Sequence, residues 1–188
     1  EYIWTDGSAN KNIRSKTKYI EVDRRKITSP DALLKFVPEW SFDGSSTNQA
    51  STEESDCILE PVKVTPNPLE RGRVASFIVL CEVMNSDGSA HETNTRANLR
   101  ERIEETELDD MIFSVEQEIT LTNPVTGTPL GWDDYENGPP EQGEYYCGVG
   151  ADSVVGRELI ENHAVMCSAA GINIPGTNAE VMLSQWEY

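Results

Sequence analysis

Residues 114–121 read SVEQEITL: two carboxylates, Glu116 and Glu118, sit two positions apart in an otherwise apolar, strand-like run. On a strand, successive side chains alternate faces, so residues i and i+2 share one surface. Like charges that close repel unless a cation lies between them, one takes a proton, or both face open water. The flanking Val115, Ile119 and Leu121 suggest a strand at least half buried, which argues against a simple solvated face. Residues 177–188, TNAEVMLSQWEY, again mix acids, Glu180 and Glu187, with Val181, Met182 and Trp186. Two apolar segments that each carry a pair of acids are costly without a neutralising cation. Carboxylates are hard oxygen donors, so the implied ions are Mg²⁺ or Mn²⁺.

The charge pattern agrees with that reading. Of 188 residues, 37% are hydrophobic and 26% charged, the balance of a soluble globular chain of one large domain or two small ones. The net charge of −18 is uneven. Residues 1–102 hold 14 Lys/Arg against 16 Asp/Glu, whereas residues 103–188 hold one base, Arg157, against 17 acids. Such a surface argues against nucleic-acid binding, which needs a basic face. It either solubilises the chain or collects divalent cations. No apolar run reaches membrane-spanning length, and the opening EYIWTDGSAN lacks the pattern of a signal peptide, so the expected location is cytoplasmic. Cys57, Cys81, Cys147 and Cys167 lie far apart, without CxxC spacing or a close histidine partner, which reads as reduced thiols rather than zinc ligands.

Along the chain, EYIWTD and IRSKTKYIEV read as strands joined by the turn GSANKN, and SPDALLKFV as a short helix with Ser29 as cap and Pro30 at its first position. Residues 39–56 form a long polar stretch, of the kind that is functional or disordered. CILEPVKVTP and VASFIVLCEV return to strand chemistry, with a turn at NSDGSAH. NTRANLRERIEETEL predicts a helix with sparse apolar positions at Ala97, Leu99 and Ile103, and a domain boundary falls near residue 100. Residues 111–122 predict a strand and residues 123–144 a Pro- and Gly-rich loop. Residues 152–171 predict the best helix, with Asp152 as cap, Val155, Leu159, His163 and Cys167 spaced by four, and Gly171 at its end. A final strand or hairpin arm follows.

Three further groups carry possible chemistry. In WSFDGSSTNQ, Asp43 and Ser46 offer a carboxylate and a hydroxyl suited to a small cation such as ammonium; the plainer reading is a tight turn. The GVG of EYYCGVGAD lacks the spacing of a phosphate loop and reads as strand-to-helix packing. His91 and His163 lack the neighbours of a catalytic triad.

Taken together, EWSFDGSSTNQ, SVEQEITL, YYCGVGAD and GTNAEVMLSQWEY, in this order and spacing, resemble glutamine synthetase of the eukaryote-like, decameric type, and the likeness runs from EYIWTDGS to Tyr188. The resemblance implies an α+β fold: a β-grasp N-terminal domain over residues 1–100, then, over 101–188, the first part of a catalytic domain of antiparallel sheet and helices. It implies an ATP-dependent ligase that joins ammonia to L-glutamate through γ-glutamyl phosphate, with Mg²⁺ or Mn²⁺ bound. Position by position, Glu118, Glu180 and Glu187 match ligands of a first metal and Glu116 a ligand of a second. Asp43, Ser46 and Tyr146 match residues about the ammonium pocket, with Asp43 as base. Trp40 matches an aromatic given to a neighbouring subunit's nucleotide-bearing site. The implied partners are L-glutamate, ammonium, ATP and further synthetase subunits, as a homodecamer.

Family members continue for roughly as long again beyond the QWEY motif. The expectation is therefore a piece of a longer enzyme, or alternatively a short non-catalytic relative that caps or regulates synthetase oligomers. Leu183 stands where the family usually has Pro, Ser114 for Gly, Glu144 for Pro and Ile112 for an aromatic. These changes beside ligands leave open a related ligase for another amine.

Overall fold

The computed structural model describes residues 1–70, 75–106, 112–132, 136–138 and 141–188. Residue 74 of one expected strand, residues 107–108 of the expected helix, Met111 and parts of the expected 123–144 loop lie outside them. The chain forms two compact units, Glu1–Met111 and Ile112–Tyr188.

The first unit is built on a five-stranded sheet in the order β2-β1-β5-β4-β3. Its strands are β1 (Tyr2–Thr5), β2 (Ile13–Lys16), β3 (Trp40–Asp43), β4 (Asp56–Pro66) and β5 (Phe77–Asn85). Only the β1–β5 pair is parallel. Period-two burial sets the core face: Tyr2 and Trp4 on β1, and Val79, Cys81 and Val83 on β5, are all buried. On β4 the buried positions change parity, from Cys57 and Leu59 to Val64. The register slips between Pro61 and Lys63, and this bulge turns the strand's even positions inward. Pro61 sits where a proline is tolerated in a sheet, beside a bulge.

Helix α1 (Pro30–Leu34) covers the sheet through buried Leu33, and the Ser29 hydroxyl caps it by accepting the Ala32 N–H at 3.1 Å. Helix α2 (Thr95–Thr106) has no buried residue, and Leu99 is 58% exposed. Polar anchors hold it instead. Arg100 and Arg96 reach the buried Glu82 carboxylate at 2.6 and 3.2 Å, and the Asn94 amide donates to it at 3.2 Å. The composition shift near residue 100 thus falls inside a helix of the first unit.

The second unit holds a three-stranded antiparallel sheet, β6 (Glu118–Thr120), β8 (Gln185–Glu187) and β7 (Asn178–Ala179), in the order β6-β8-β7. Helix α3 (Arg157–Ala169) packs beneath it, where Ile160, Ala179 and Trp186 form the core. Two expectations change. Residues 112–117 are not strand, and Ile112, Phe113 and Val115 are exposed rather than half buried. Among the described residues the pairing extends beyond β6 only at Gln117, which exchanges backbone hydrogen bonds with Tyr188 at 3.1 Å. Helix α3 is capped four residues beyond Asp152, at Gly156, with φ of 84° and no side-chain cap. The positive φ favours glycine, and a β-carbon there would lie 2.2 Å from Leu121 Cδ1, so the leucine tip would have to move to admit one.

Candidate functional site

The pleat of the second unit's sheet separates a greasy face from a carboxylate face. Ile119 opposes Trp186, which in turn opposes Ala179, and Trp186 is fully buried with its indole N–H donating to the Val155 carbonyl at 2.8 Å. One residue along, Glu118 opposes Glu187, and Glu187 opposes Asn178. Alternation sends this second row to the other side of the sheet. Apolar packing of Ile119 and Trp186 therefore fixes where Glu118 and Glu187 point.

Neutral amides hold the row in place. The Asn178 side chain donates to Glu180 Oε1 at 3.0 Å and to Glu187 Oε2 at 3.1 Å, bridging two carboxylates. The Val181 N–H donates to the other oxygen of Glu180 at 3.1 Å. The Gln185 amide donates to Glu118 Oε2 at 2.7 Å. Glu180 and Glu187 are half-buried, and Glu118 is exposed. Glu116 precedes the strand, is exposed, and is not drawn into this row. Among the described residues, no three His, Cys, Asp or Glu side chains close on a single point in the way a finished metal cage would. The acids share a face, each steadied by an amide that leaves further lone pairs free.

Tyr146 borders the same face. The turn that carries it is tied to the region of β7 by Gly143 N–H to Val181 O at 2.8 Å and Cys147 N–H to Ala179 O at 2.9 Å. The phenol's pKa is raised, chiefly by the neighbouring Cys147 and further by the negative charges of Glu180 and Glu187. Asn178 was missed in the sequence, although its i, i+2 spacing to Glu180 is the same signal that drew attention to Glu116 and Glu118.

In the first unit, Asp43 ends β3 and caps the following single turn of 3₁₀ helix, Gly44–Thr47. The N–H and hydroxyl of Ser45 donate to its Oδ1 at 3.0 and 2.6 Å, and the Ser46 hydroxyl donates to Oδ2 at 2.8 Å. These donors, Ser45 first and Ser46 next, hold the carboxyl below its usual pKa. Ser45 therefore joins the expected pair. The polar stretch is an ordered strand and turn at this point, since Gly44 and Gln49 close it by backbone hydrogen bonds. Trp40, at the other end of β3, is half-buried, with its ring edge-on to Tyr2 at 5.4 Å and with Lys16 and Lys18 at 3.6 and 4.6 Å from its centre.

One sequence expectation is corrected here. Cys167 does have a histidine partner: His163, one helical turn earlier on α3, puts Nε2 3.5 Å from its sulfur. Cys57 and Cys81 are buried.

The fold and site so far describe a β-grasp-type unit followed in sequence by an antiparallel sheet with a face of carboxylates. Residues 1–86 match the family model of the glutamine synthetase β-grasp domain. Across its whole length the chain is 47% identical to the glutamine synthetase of Streptomyces viridochromogenes, of which it spans 52%. It is 45% identical to the chloroplastic glutamine synthetase of Chlamydomonas reinhardtii, spanning 50% of it. Against the mitochondrial glutamine synthetase 1 of Drosophila melanogaster it is 43% identical and spans 44%. The chain spans about half the length of the curated relatives it matches. It belongs to the glutamine synthetase family.

Proposed function

We propose that this chain works as part of an ATP-dependent glutamate–ammonia ligase. The observation that carries the reading is the row Glu118–Glu187–Asn178 with Glu180 hung from Asn178, all on one face of a sheet. A row of half-exposed, hydrogen-bonded carboxylates offers hard oxygen donors, so the residues fit a Mg²⁺ or Mn²⁺ ion. Glu118, Glu180 and Glu187 would hold the first ion and Glu116 would serve a second. When bound, such ions neutralise phosphate charge and polarise the transferring group.

The remaining chemistry belongs to the substrates and to the chain's own side chains. ATP transfers its γ-phosphoryl group to the γ-carboxylate of glutamate, replacing a hopeless leaving group by phosphate. Ammonia then attacks the acyl carbon, the C–O bond to phosphate breaks, and glutamine and phosphate leave. Asp43, held ionised by Ser45 and Ser46, binds ammonium and takes its proton as attack proceeds. Its depressed pKa favours cation binding over proton retention, so the proton moves on to solvent. Tyr146, beside Glu180 and Glu187, stays protonated and supplies a hydrogen bond at the rim of the same face.

In this reading Trp40 serves a neighbouring subunit, and the ligase is a homodecamer; the partly open ring with two ammonium groups over it supports a role toward an anionic nucleotide. Among the described residues no helix is long and apolar enough to cross a membrane. Free buried thiols support a reducing, cytoplasm-like compartment. The test is γ-glutamyl transfer from glutamine to hydroxylamine with Mn²⁺, in the complete gene product. Turnover that is lost in Glu187→Gln supports the assignment, and absence of transfer from a correctly assembled protein overturns it.

A further inference from the structure

The turn that carries Asp43 is gripped from two sides by groups that the ligase reading leaves unused. On one side is the β1–β2 turn. Its Gly7 N–H donates to the Thr47 carbonyl at 2.8 Å, and a β-carbon on Gly7 would collide with the Asn48 carbonyl, so glycine is what lets the two turns approach. On the other side is the loop 91–94. His91 is 7% exposed, and both of its ring nitrogens are engaged. Nδ1 lies 3.1 Å from the Thr93 backbone nitrogen and 2.9 Å from the Thr93 hydroxyl, and Nε2 lies 2.6 Å from the Gln49 carbonyl oxygen. A backbone N–H can only donate, so Nδ1 accepts and the ring hydrogen sits on Nε2, donating to Gln49.

Gln49 passes this anchor to the turn. Its side-chain amide donates to the Thr93 hydroxyl at 2.9 Å and to the Thr5 carbonyl at 3.2 Å. Its backbone N–H donates to the Gly44 carbonyl at 2.8 Å, which closes the turn that Asp43 caps. Asn48, just before it, has φ of 57°, a left-handed conformation that a residue other than glycine keeps where its surroundings hold it.

We propose, resting on the reading of Asp43 as the ammonium-binding base, that His91 is a positioning residue: through Gln49 it fixes the backbone on which the carboxylate stands, and so sets the affinity for ammonium. Asp43 is exposed and bonded only within its own turn, so its place is set by that turn's backbone. Without the Nε2 donor, the buried Gln49 carbonyl keeps only the weaker Cys57 thiol, at 3.7 Å, and the turn is free to shift. A displacement of about 1 Å in a reacting group can cost on the order of a hundredfold in rate.

Steady-state glutamine synthesis by the complete gene product, with ammonium, glutamate and ATP varied in turn, tests this with two isosteres. A glutamine amide puts an N–H near the place of Nε2, whereas an asparagine amide reaches only the place of Nδ1. His91→Asn should raise the KM for ammonium on the order of tenfold and leave that for ATP within about twofold, and His91→Gln should restore the ammonium KM. An ammonium KM unmoved in His91→Asn, an ATP KM that rises by the same factor, or a His91→Gln no better than His91→Asn overturns the role. An unsubstituted protein that makes no glutamine overturns the ligase reading itself, and the role with it. Hydrogen exchange of the unsubstituted protein needs neither turnover nor a folded variant. Its 44–49 amides should exchange more slowly than those of the exposed 51–54 stretch, and equal rates overturn the proposal.

Discussion

Two aspartates of the first unit show how hydrogen-bond donors set what a carboxylate does. Asp6 is buried at the start of the β1–β2 turn, accepts the Ser8 hydroxyl and N–H and the Asn12 N–H, and pairs with Arg14 at 2.8 Å. The Ser8 hydroxyl foremost, with the Ser8 N–H and Arg14, lowers its pKa to about 2. The folded pKa lies below the unfolded one, so the stabilisation is complete above roughly pH 4. It is lost as pH falls toward about 2. Asp6→Asn is expected to lower stability at neutral pH and to flatten the acid limb of a denaturation-versus-pH curve in that window; an unchanged acid limb would contradict the assignment. Asp43 uses similar donors while exposed, which suits a site that must take and release a cation. If the proposed ligase assignment holds, Asp43→Asn reduces kcat on the order of a hundredfold. It should also raise the KM for ammonium more than that for ATP, as steady-state kinetics with each substrate varied would reveal.

Among the elements, those defined by local chemistry were readable from residues alone. Ser29-Pro30 announced α1, and Gly171, with φ of 80°, ended α3 as its position suggested. The β1–β2 turn followed from its turn residues, and the closing hairpin is one of the two readings, strand or hairpin arm, open for residues 177–188. What stayed hidden depended on contacts distant in sequence. The parity change of β4 needs the bulge against β5, and α3 starts after a Gly156 N-cap with positive φ rather than at Asp152. Likewise the 112–116 segment has strand composition but, among the described residues, no strand partner. In the candidate site the acids were legible as acids, but Asn178, which organises two of them, and the His163–Cys167 pairing were legible only once the backbone was folded. Gly156→Ala tests the element directly. It forces both a positive φ on alanine and a clash with Leu121, and should destabilise the second unit by about 1–3 kcal/mol. Thermal unfolding followed at the Trp186 environment would register it, and a change below a few tenths of a kcal/mol would contradict the packing described.

On the scale of the whole chain, apolar burial and thiol accessibility divide together. Burial raises the Cys57 thiol's pKa and pushes that of Cys81 up to about 12, whereas Cys147 is exposed and Cys167 half-exposed. Alkylation of the native chain should therefore label Cys147 and Cys167 within minutes and spare Cys57 and Cys81 until denaturant is added; mass spectrometry of the peptides distinguishes the four. The proposed function rests on one claim: Glu118, Glu180 and Glu187 jointly bind a hard divalent cation. Mn²⁺ titration of the full chain, followed by electron paramagnetic resonance, tests this most directly. Saturable binding that falls on the order of tenfold or more in Glu187→Gln and in Glu118→Gln, but not in Glu104→Gln on α2, is the expected result. Equal Mn²⁺ affinity in all of these proteins would contradict it.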